Sequence, residues 1–437
     1  MAIELLQQEL TEILEKKSHI QDLYLFTVNN KTAPIVIREK FAIPEYTLTE
    51  ANQNLKNYKS IKSFLILSTC NRTEIYFTSN DLQLSLKEIN NFFEKHIGLE
   101  PKITKEYNVI LKNEDVIKHA FRVACGLDSL VLGESQVLSQ LKSAYSTAQK
   151  EHTLDDTLEH LFQCAINTAK NIHKNTNLSK SSHSISSAAV DLANKIAGPL
   201  KTKSVMVLGA GLMAKLALEH IIKIGGSKET VALNRSPHRV IEFSDKYKID
   251  KSVPFENIYE VLNDVDILIC SAGAPHFIIF AEQFAQIRKK LEKPLFIFDI
   301  SMPRNVDSEF GRLPNVKLMD IDALQTIYSQ SMDIQNEDLI QAENIISSGT
   351  SNFLKHIKEQ QVNQLIKDLK EKIEKIKKDK LEKLTRDKNT FTNKEVEYII
   401  QNIINTIFHT PIKSIKDSNI YGSQNEKIEV LRELFEL

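Results

Sequence analysis

Nowhere in its 437 residues does the chain hold an apolar run approaching the roughly 20 residues that span a bilayer. No membrane segment is expected. An excess of one charge is missing too: 56 Lys and Arg stand against 57 Asp and Glu, for a net charge of −1. A general nucleic-acid coat would be strongly basic, so that class is excluded, although a single nucleic acid bound on a local basic face is not. Cysteine is scarce. Cys70, Cys125, Cys164 and Cys270 lie far apart with no CxxC pair, which fits neither a disulfide framework nor a zinc site. Free thiols in a reducing compartment, the cytoplasm, are expected, with no bound metal. Residues 1–17 are acidic and amphipathic and lack the basic start and apolar core of a signal peptide. Leu6, Leu10, Ile13 and Leu14 within them fit a short surface helix. Proline is absent from 315–410, which allows one helix of many turns.

The length suggests about three domains. Residues 22–110 mix strands and helices, with strands at 23–28, 63–68 and 74–79. Residues 113–172 read as helical, with few breakers after Gly133. Residues 200–325 alternate strands (204–209, 230–234, 265–270, 295–300 and 316–321) with helices, which implies a parallel sheet with right-handed crossovers. From about 328 the pattern is all helical. Met332, Leu339, Ile346 and Phe353 recur every seven residues, and Val362, Ile366, Leu369, Ile373 and Ile376 step by four and three. Thr392 with Glu395 forms a capping box. The helix after it carries Val396, Ile399, Ile400, Ile403, Ile404, Ile407 and Phe408 on one broad stripe. A compact helical bundle would use such seams internally, but this much apolar surface points rather to dimerisation. The lysines of 367–388 are interleaved with Glu and Asp and read as a solvated face.

Residues 205–221 read strand, glycine turn, helix. Gly209, Ala210, Gly211, Leu212, Met213 and Ala214 form G-x-G-x-x-A in the context that a dinucleotide-binding turn requires. The first glycine permits the turn, the second admits a pyrophosphate, and the small third residue lets helix and strand pack. The helix N-terminus supplies N–H groups to the phosphates. At the end of the next strand an acidic residue would select NAD. Asn234, Arg235 and Ser236 stand there instead, and an arginine can meet a 2′-phosphate, so NADP(H) is favoured over the plain alternative that Arg235 is a surface residue. Residues 271–275, after the 265–270 strand, fall at the carboxyl edge where the nicotinamide half lies.

Cys70 sits in SFLILSTCNRTEIY (63–76), after a buried-looking strand and before a polar turn. Most free cysteines are small buried hydrophobes. Polar Thr69, Asn71 and Arg72 flank this one, and a nearby cation favours thiolate. Cys125, Cys164 and Cys270 sit in apolar patterns and read as core. His119 lies in a stretch (116–145) that also holds Asp128, Ser129, Glu134, Gln136 and Gln140. These could line a polar pocket or form the wet face of an amphipathic helix; periodicity does not separate the two.

LSTCNRTEIY, RVACGLDSLVLGESQVLSQLKSAY and VLGAGLMA, in this order, resemble glutamyl-tRNA reductases, and KTAPIVIRE (31–39) and SSAAV (186–190) agree. The resemblance covers about 22–325 by motif and the helical tail by architecture. It implies an α/β multidomain chain: an α+β catalytic domain that binds glutamyl-tRNA(Glu) (1–172), a Rossmann-type NADPH domain (173–325), and a long spinal helix leading into an all-helical dimerisation domain (326–437) of a homodimer. It implies NADPH-dependent reduction of the glutamyl group to glutamate-1-semialdehyde, with release of tRNA through a cysteine thioester, at the entry to tetrapyrrole synthesis. By that pattern Cys70 is the nucleophile and His119 is important for activity. Thr69, Asn71, Arg72, Ser129, Glu134, Ser135, Gln136 and Gln140 contact substrate, and residues 209–214 hold NADPH. Glutamate-1-semialdehyde aminomutase is a candidate partner. Three departures bear on domain contacts rather than chemistry: Asn30 in place of histidine, Asn305 in place of aspartate after Pro303 and Arg304, and Asp320, Ile321 and Asp322 in place of a Tyr-Asn turn. Two other readings compete. An NADP-dependent dehydrogenase of a small metabolite, similar to shikimate dehydrogenase, would leave the cysteine motif unexplained. A dimeric tRNA- or protein-binding regulator would leave both intact motifs unexplained.

Overall fold

The computed structural model describes residues 22–129, 133–176, 178, 184–234, 247, 249–288, 293–329, 336–386, 394, 397, 398 and 401. The chain divides into two compact units, Met1–Thr350 and Ser351–Leu437. No helix among the described residues is long and apolar enough to cross a membrane.

The first unit contains two sheets. Strands β1 (Asp22–Asn29), β2 (Ser63–Ser68), β3 (Arg72–Ser79) and β4 (Val109–Lys112) form an antiparallel sheet in the order β2-β3-β1-β4. The first three are rich in β-branched and aromatic residues, which suit a pleated, covered surface. Every residue of β3 is buried, so its apolar Ile75, Tyr76 and Phe77 share the interior with Arg72, Thr73 and Glu74. Helices α1 (Ile35–Phe41), α2 (Leu48–Leu55), α3 (Leu82–Phe92), α4 (Pro101–Tyr107), α5 (Glu114–Ala124), α6 (Ser135–Lys150) and α7 (Asp156–Asn175) accompany this sheet. Asp81 and Asp155 cap α3 and α7 by accepting from Leu84 N and Leu158 N at 3.0 and 2.9 Å. Phe26, Phe41 and Phe92 each pack on Phe93 with ring centroids 5.2–5.4 Å apart. Truncating one of these rings would cost about 3–5 kcal/mol.

The second sheet is fully parallel. It comprises β5 (Ser204–Leu208), β6 (Glu229–Leu233), β7 (Lys251–Val253), β8 (Ile267–Cys270), β9 (Leu295–Asp299) and β10 (Val316–Asp320), in the order β10-β9-β8-β5-β6-β7. The connection reverses direction between β5 and β8, and ligands of such sheets bind outside the carboxyl ends at that switch point. One face packs α8 (Ile185–Ile196), α9 (Leu212–Lys223) and α12 (Ile321–Ser329) on Val205, Val207, Ile267, Ile269 and Phe298. The other face packs α10 (Ile258–Asp264) and α11 (Ala281–Ile287) on Met206, Leu208, Leu268 and Ile297.

Each strand expected from the pattern is present. Two were not foreseen, β4 and β7. Both are short edge strands whose residues are exposed or half-buried, so they carry little apolar signal. The helix expected from the absence of proline is α13 (Asn336–Arg386), 51 residues long. Ile346, Phe353, Val362 and Ile366 on it are buried, and Leu339 is half-buried. The expected N-terminal helix, Met332, the side chains of Leu369, Ile373 and Ile376, the Thr392–Glu395 capping box and the stripe at 396–408 lie outside the described residues.

Candidate active site

The ladder of β2 and β3 ends at Ser68 opposite Thr73, and the next four residues, 69–72, close the hairpin. Thr69 N–H donates to Arg72 O at 2.8 Å, and Asn71 N–H donates to Thr69 Oγ1 at 3.2 Å. The turn is further tied by Asn30 N–H to Asn71 O at 3.0 Å. Its tip presents Cys70, half-buried and packed, with Met213 and Met302, against the core of the parallel sheet.

Beside the thiol is a cavity of about 250 Å³. The antiparallel domain contributes Thr69, Cys70, Gln140 and Ser143; the parallel domain contributes Met213, residues 271–273 and Met302. Thus the site is assembled across the two sheets. Burial pushes the Cys70 thiol up to about 12; Glu134 adds to the rise, and Arg38 and Arg72 oppose it. The expected cationic help is present but outweighed, so the resting sulfur is a thiol.

Glu134 is buried at the N-terminus of α6, and desolvation raises its carboxyl to about 7 although Ile185 N–H donates to it. Gly126 makes room for it: its φ is +70°, and a Cβ there would meet Glu134 N at 2.8 Å. Ser135 opens α6, and its side chain lies outside the described residues.

His119 is not on the cavity. Its Nε2 lies 2.7 Å from Glu74 Oε1, and its Nδ1 lies 3.6 Å from Asp128 Oδ2. Glu74, fully buried on β3, also accepts from Arg72 Nη1 at 3.2 Å, Tyr76 Oη at 2.7 Å and Thr27 Oγ1 at 3.2 Å. Burial alone would raise this carboxyl. The charges of His119 and Arg72, with hydrogen bonds from His119 and Tyr76, prevail and hold it at about 2. An ionised carboxylate only accepts, so His119 Nε2 carries the proton of that bond. Asp128, paired with Lys31 at 3.0 Å, accepts Arg72 Nη2 through its carbonyl. Burial raises its carboxyl, but Lys31, Arg122 and His119 pull it below the usual range.

Four of the residues expected to contact substrate carry a buried polar atom without a partner: Asn71 Oδ1, Arg72 Nε, Ser129 Oγ and Gln136 Nε2. An orphaned buried polar atom costs about 1–3 kcal/mol, so each of them is open to a polar partner; none of the four residues lines the cavity beside Cys70.

At the glycine turn, Gly209 has φ +120°, and a Cβ on it would meet Ser271 O at 2.7 Å. Gly211 is the N-cap of α9, and a Cβ there would meet nothing within 4 Å. Ala214 is fully buried. The turn is therefore closed on the protein side and open where a phosphate would approach, which fits a dinucleotide. Asn234, which is no carboxylate, follows β6; Arg235 and Ser236 lie outside the described residues.

The other cysteines differ from one another. Cys125 and Cys270 are fully buried, as expected. Cys164 is half-buried with its Sγ 3.5 Å from His160 Nε2, so the core reading does not hold for it. Asn305 donates through Nδ2 to the carbonyls of Ala274 and His276 at 2.9 and 3.0 Å, bonds that an aspartate could not make. The pattern reading missed Glu74 and the wall formed by Ile300, Ser301 and Met302. Glu74 had a signal, a carboxylate inside an apolar strand; the wall had none.

Three family models match along the chain: "Glutamyl-tRNAGlu reductase, N-terminal domain" over 26–176, "Shikimate / quinate 5-dehydrogenase" over 191–327, and "Glutamyl-tRNAGlu reductase, dimerisation domain" over 341–437. A glutamyl-tRNA reductase from Carboxydothermus hydrogenoformans is 36% identical over 418 residues, covering 95% of this chain and 93% of the relative. Glutamyl-tRNA reductase 2 from Koribacter versatilis is 32% identical, with 95% of each chain covered. Among solved structures, the glutamyl-tRNA reductase from Methanopyrus kandleri matches in fold with a TM-score of 0.53 and 24% identity, over 96% of this chain and 100% of that one.

Proposed function

The chain belongs to the glutamyl-tRNA reductase family, and on that premise we propose how its own residues reduce the glutamyl group of glutamyl-tRNA(Glu) to glutamate-1-semialdehyde, the first step of tetrapyrrole synthesis from glutamate. The observation that carries the reading is a half-buried thiol on a hairpin tip, on a cavity whose other wall is the carboxyl edge of a dinucleotide-type sheet.

Cys70 Sγ attacks the ester carbonyl. The S–C bond forms, the bond from that carbon to the ribose oxygen breaks, and the thiol proton leaves on the tRNA hydroxyl. Arg72 Nε and Gln136 Nε2 donate to the substrate carboxylate, and Asn71 Oδ1 accepts from its ammonium group. Thr69, Ser129, Glu134, Ser135 and Gln140 complete the grip. His119, held by Glu74, acts by fixing the Glu74–Arg72 pair that orients the guanidinium. Walls from both domains limit the water that reaches the thioester.

Gly209, Ala210, Gly211, Leu212, Met213 and Ala214 cradle a nicotinamide cofactor through backbone N–H groups at the start of α9, with Ser271 behind them. When bound, the reduced cofactor supplies a hydride to the thioester carbon. NADPH is preferred over NADH because no carboxylate stands at Asn234, Arg235 and Ser236.

Residues 1–172 form the catalytic domain, 173–325 the cofactor domain, and 326–437 the spinal helix and homodimer interface. The enzyme works in the cytoplasm, where a reactive thiol stays reduced, and hands its aldehyde to an aminomutase. The test is incubation of the full chain with glutamyl-tRNA and either NADPH or NADH. Semialdehyde formation with NADPH is expected; equal use of both cofactors would end the NADPH assignment, and no product with either would end the reading.

A further inference from the structure

Four charged groups pair across the two domains of this site with alternating sign. Successive residues of α1, Arg38 and Glu39, have opposite signs, and each meets its opposite on the cofactor domain. Arg38 Nη2 donates to Asp322 Oδ1 at 2.7 Å and Nη1 to Oδ2 at 3.1 Å. Asp322 Oδ2 also accepts Ile35 N–H at 3.1 Å. In return Arg304 donates from Nη2 to Glu39 Oε1 at 2.8 Å and from Nε to Oε2 at 3.0 Å. Both pairs are two-pronged, the geometry in which guanidinium and carboxylate bind with most direction. The Arg38 side chain is 2% exposed, and those of Glu39 and Arg304 are 16% and 13% exposed, so water screens them less than ordinary surface pairs. Hydrogen bonding to Glu39 raises Arg304 above its usual range.

We propose that Arg38, Glu39, Arg304 and Asp322 form a reciprocal charge clasp that positions the cofactor domain over Cys70 for the reduction step. Reversed polarity on adjacent residues gives the clasp a single register, because sliding one domain by one partner would bring like charges face to face. It also sits at the edges of the site. Met302 lines the cavity two residues before Arg304, and Asp322 lies in the first turn of α12, two residues after β10 ends. All groups assigned to thioester formation precede residue 176, whereas the cavity wall of Met213, residues 271–273 and Met302 comes from the cofactor domain. Opening the clasp therefore leaves the thiol chemistry intact and misplaces only the half that delivers the hydride. The motif 31–39 and the turn at 320–322 find a common purpose here.

The proposal rests on the reading above, and its test separates the two. In the full chain, Glu39→Gln and Asp322→Asn are made singly and together; Arg38 is left alone because its charge reaches Cys70. Single-turnover release of tRNA without NADPH reports thioester formation, and semialdehyde formation with NADPH reports reduction. We expect the double variant to lose reduction by about tenfold to a hundredfold, the scale of a misplacement near 1 Å, while tRNA release stays within about twofold. The reversed pair, Glu39→Arg with Arg304→Glu, should recover most of the loss of Glu39→Arg alone. Equal loss of both reactions, unchanged reduction, or a reversed pair no better than its parent would overturn the clasp. An unaltered enzyme that neither releases tRNA nor makes aldehyde would overturn the functional reading instead.

Discussion

The two sheets of the first unit solve the problem of holding chemistry in opposite ways. In the antiparallel sheet the working groups are side chains inside or just beyond a strand: Arg72 and Glu74 on β3, and Cys70 on the turn before it. β3 is buried along its whole length, so each charge needs a partner, and Glu74 collects four. In the parallel sheet the central strands β5 and β8 are buried along their length, and the segments proposed to hold the cofactor are turns at their carboxyl ends. The first device is specific for one substrate and sensitive to any lost partner. The second depends on where the chain turns rather than on which side chains it carries.

The largest effect that would test this contrast is Cys70→Ser. A hydroxyl in a site that raises even a thiol to about 12 is a poor nucleophile. Reduction and tRNA release should both fall on the order of a thousandfold or more, whereas Cys125→Ala and Cys270→Ala should alter stability more than turnover. If Cys70→Ser keeps most of its reductase activity, direct hydride attack on the ester is the better mechanism.

Next comes Gly209→Ala, a single methyl group on the backbone-driven side. It would press on Ser271 O at 2.7 Å with φ at +120°. Strain of about 1–3 kcal/mol should weaken cofactor binding by roughly tenfold or more, measured by fluorescence titration of NADPH, and leave tRNA release intact. Loss of both activities would count against separable halves.

Two glutamates of the antiparallel side should then shift stability in opposite directions. Glu74 titrates near 2 when folded and near 4.5 when unfolded, so its contribution is present above 4.5 and is lost as pH falls through 2. At pH 7 it is on the order of 3 kcal/mol, and Glu74→Gln should cost about that much in a urea melt. Glu134 is raised to about 7, so its ionisation penalises the fold progressively from pH 4.5 to 7 and fully above. Glu134→Gln should stabilise at pH 8 by about 3 kcal/mol and at pH 5 by less than about 1 kcal/mol. It should also speed alkylation of Cys70 by iodoacetamide, because a charge opposing the thiolate is gone. Slower alkylation would contradict the stated cause of the raised thiol.

The smallest effect is expected at Leu212, in the middle of the glycine motif but 54% exposed. If the turn works through its backbone, Leu212→Ala should change the KM for NADPH by no more than about twofold. A tenfold change would mean that the parallel side also relies on side chains.

Legibility differed between the sheets for the same reason. β5, β6, β8 and β9 are covered on both faces, so they read as short apolar runs, and the glycine turn after β5 stood out at once. The hairpin carrying Cys70 was legible too, as two apolar runs around a polar turn. The pairing of Glu74 with His119, 45 residues apart, was not, because nothing in either segment names the other. His119 could be singled out by resemblance, yet its place beneath Arg72 rather than beside the thiol appears only in three dimensions.

By itself, the sequence determined the order of the central strands, the parallel sheet with its glycine turn and the family, and it pointed to Cys70 as the proposed nucleophile, because periodicity and short motifs are local properties of the chain. Tertiary structure alone decided that Cys70 faces residues 271–273 and Met302 across a shared cavity, that burial outweighs the nearby cations at its sulfur, and that Arg38 and Glu39 meet Asp322 and Arg304. Desolvation and charge pairing are set by which distant segments meet, and those distances exist only once the two sheets have packed.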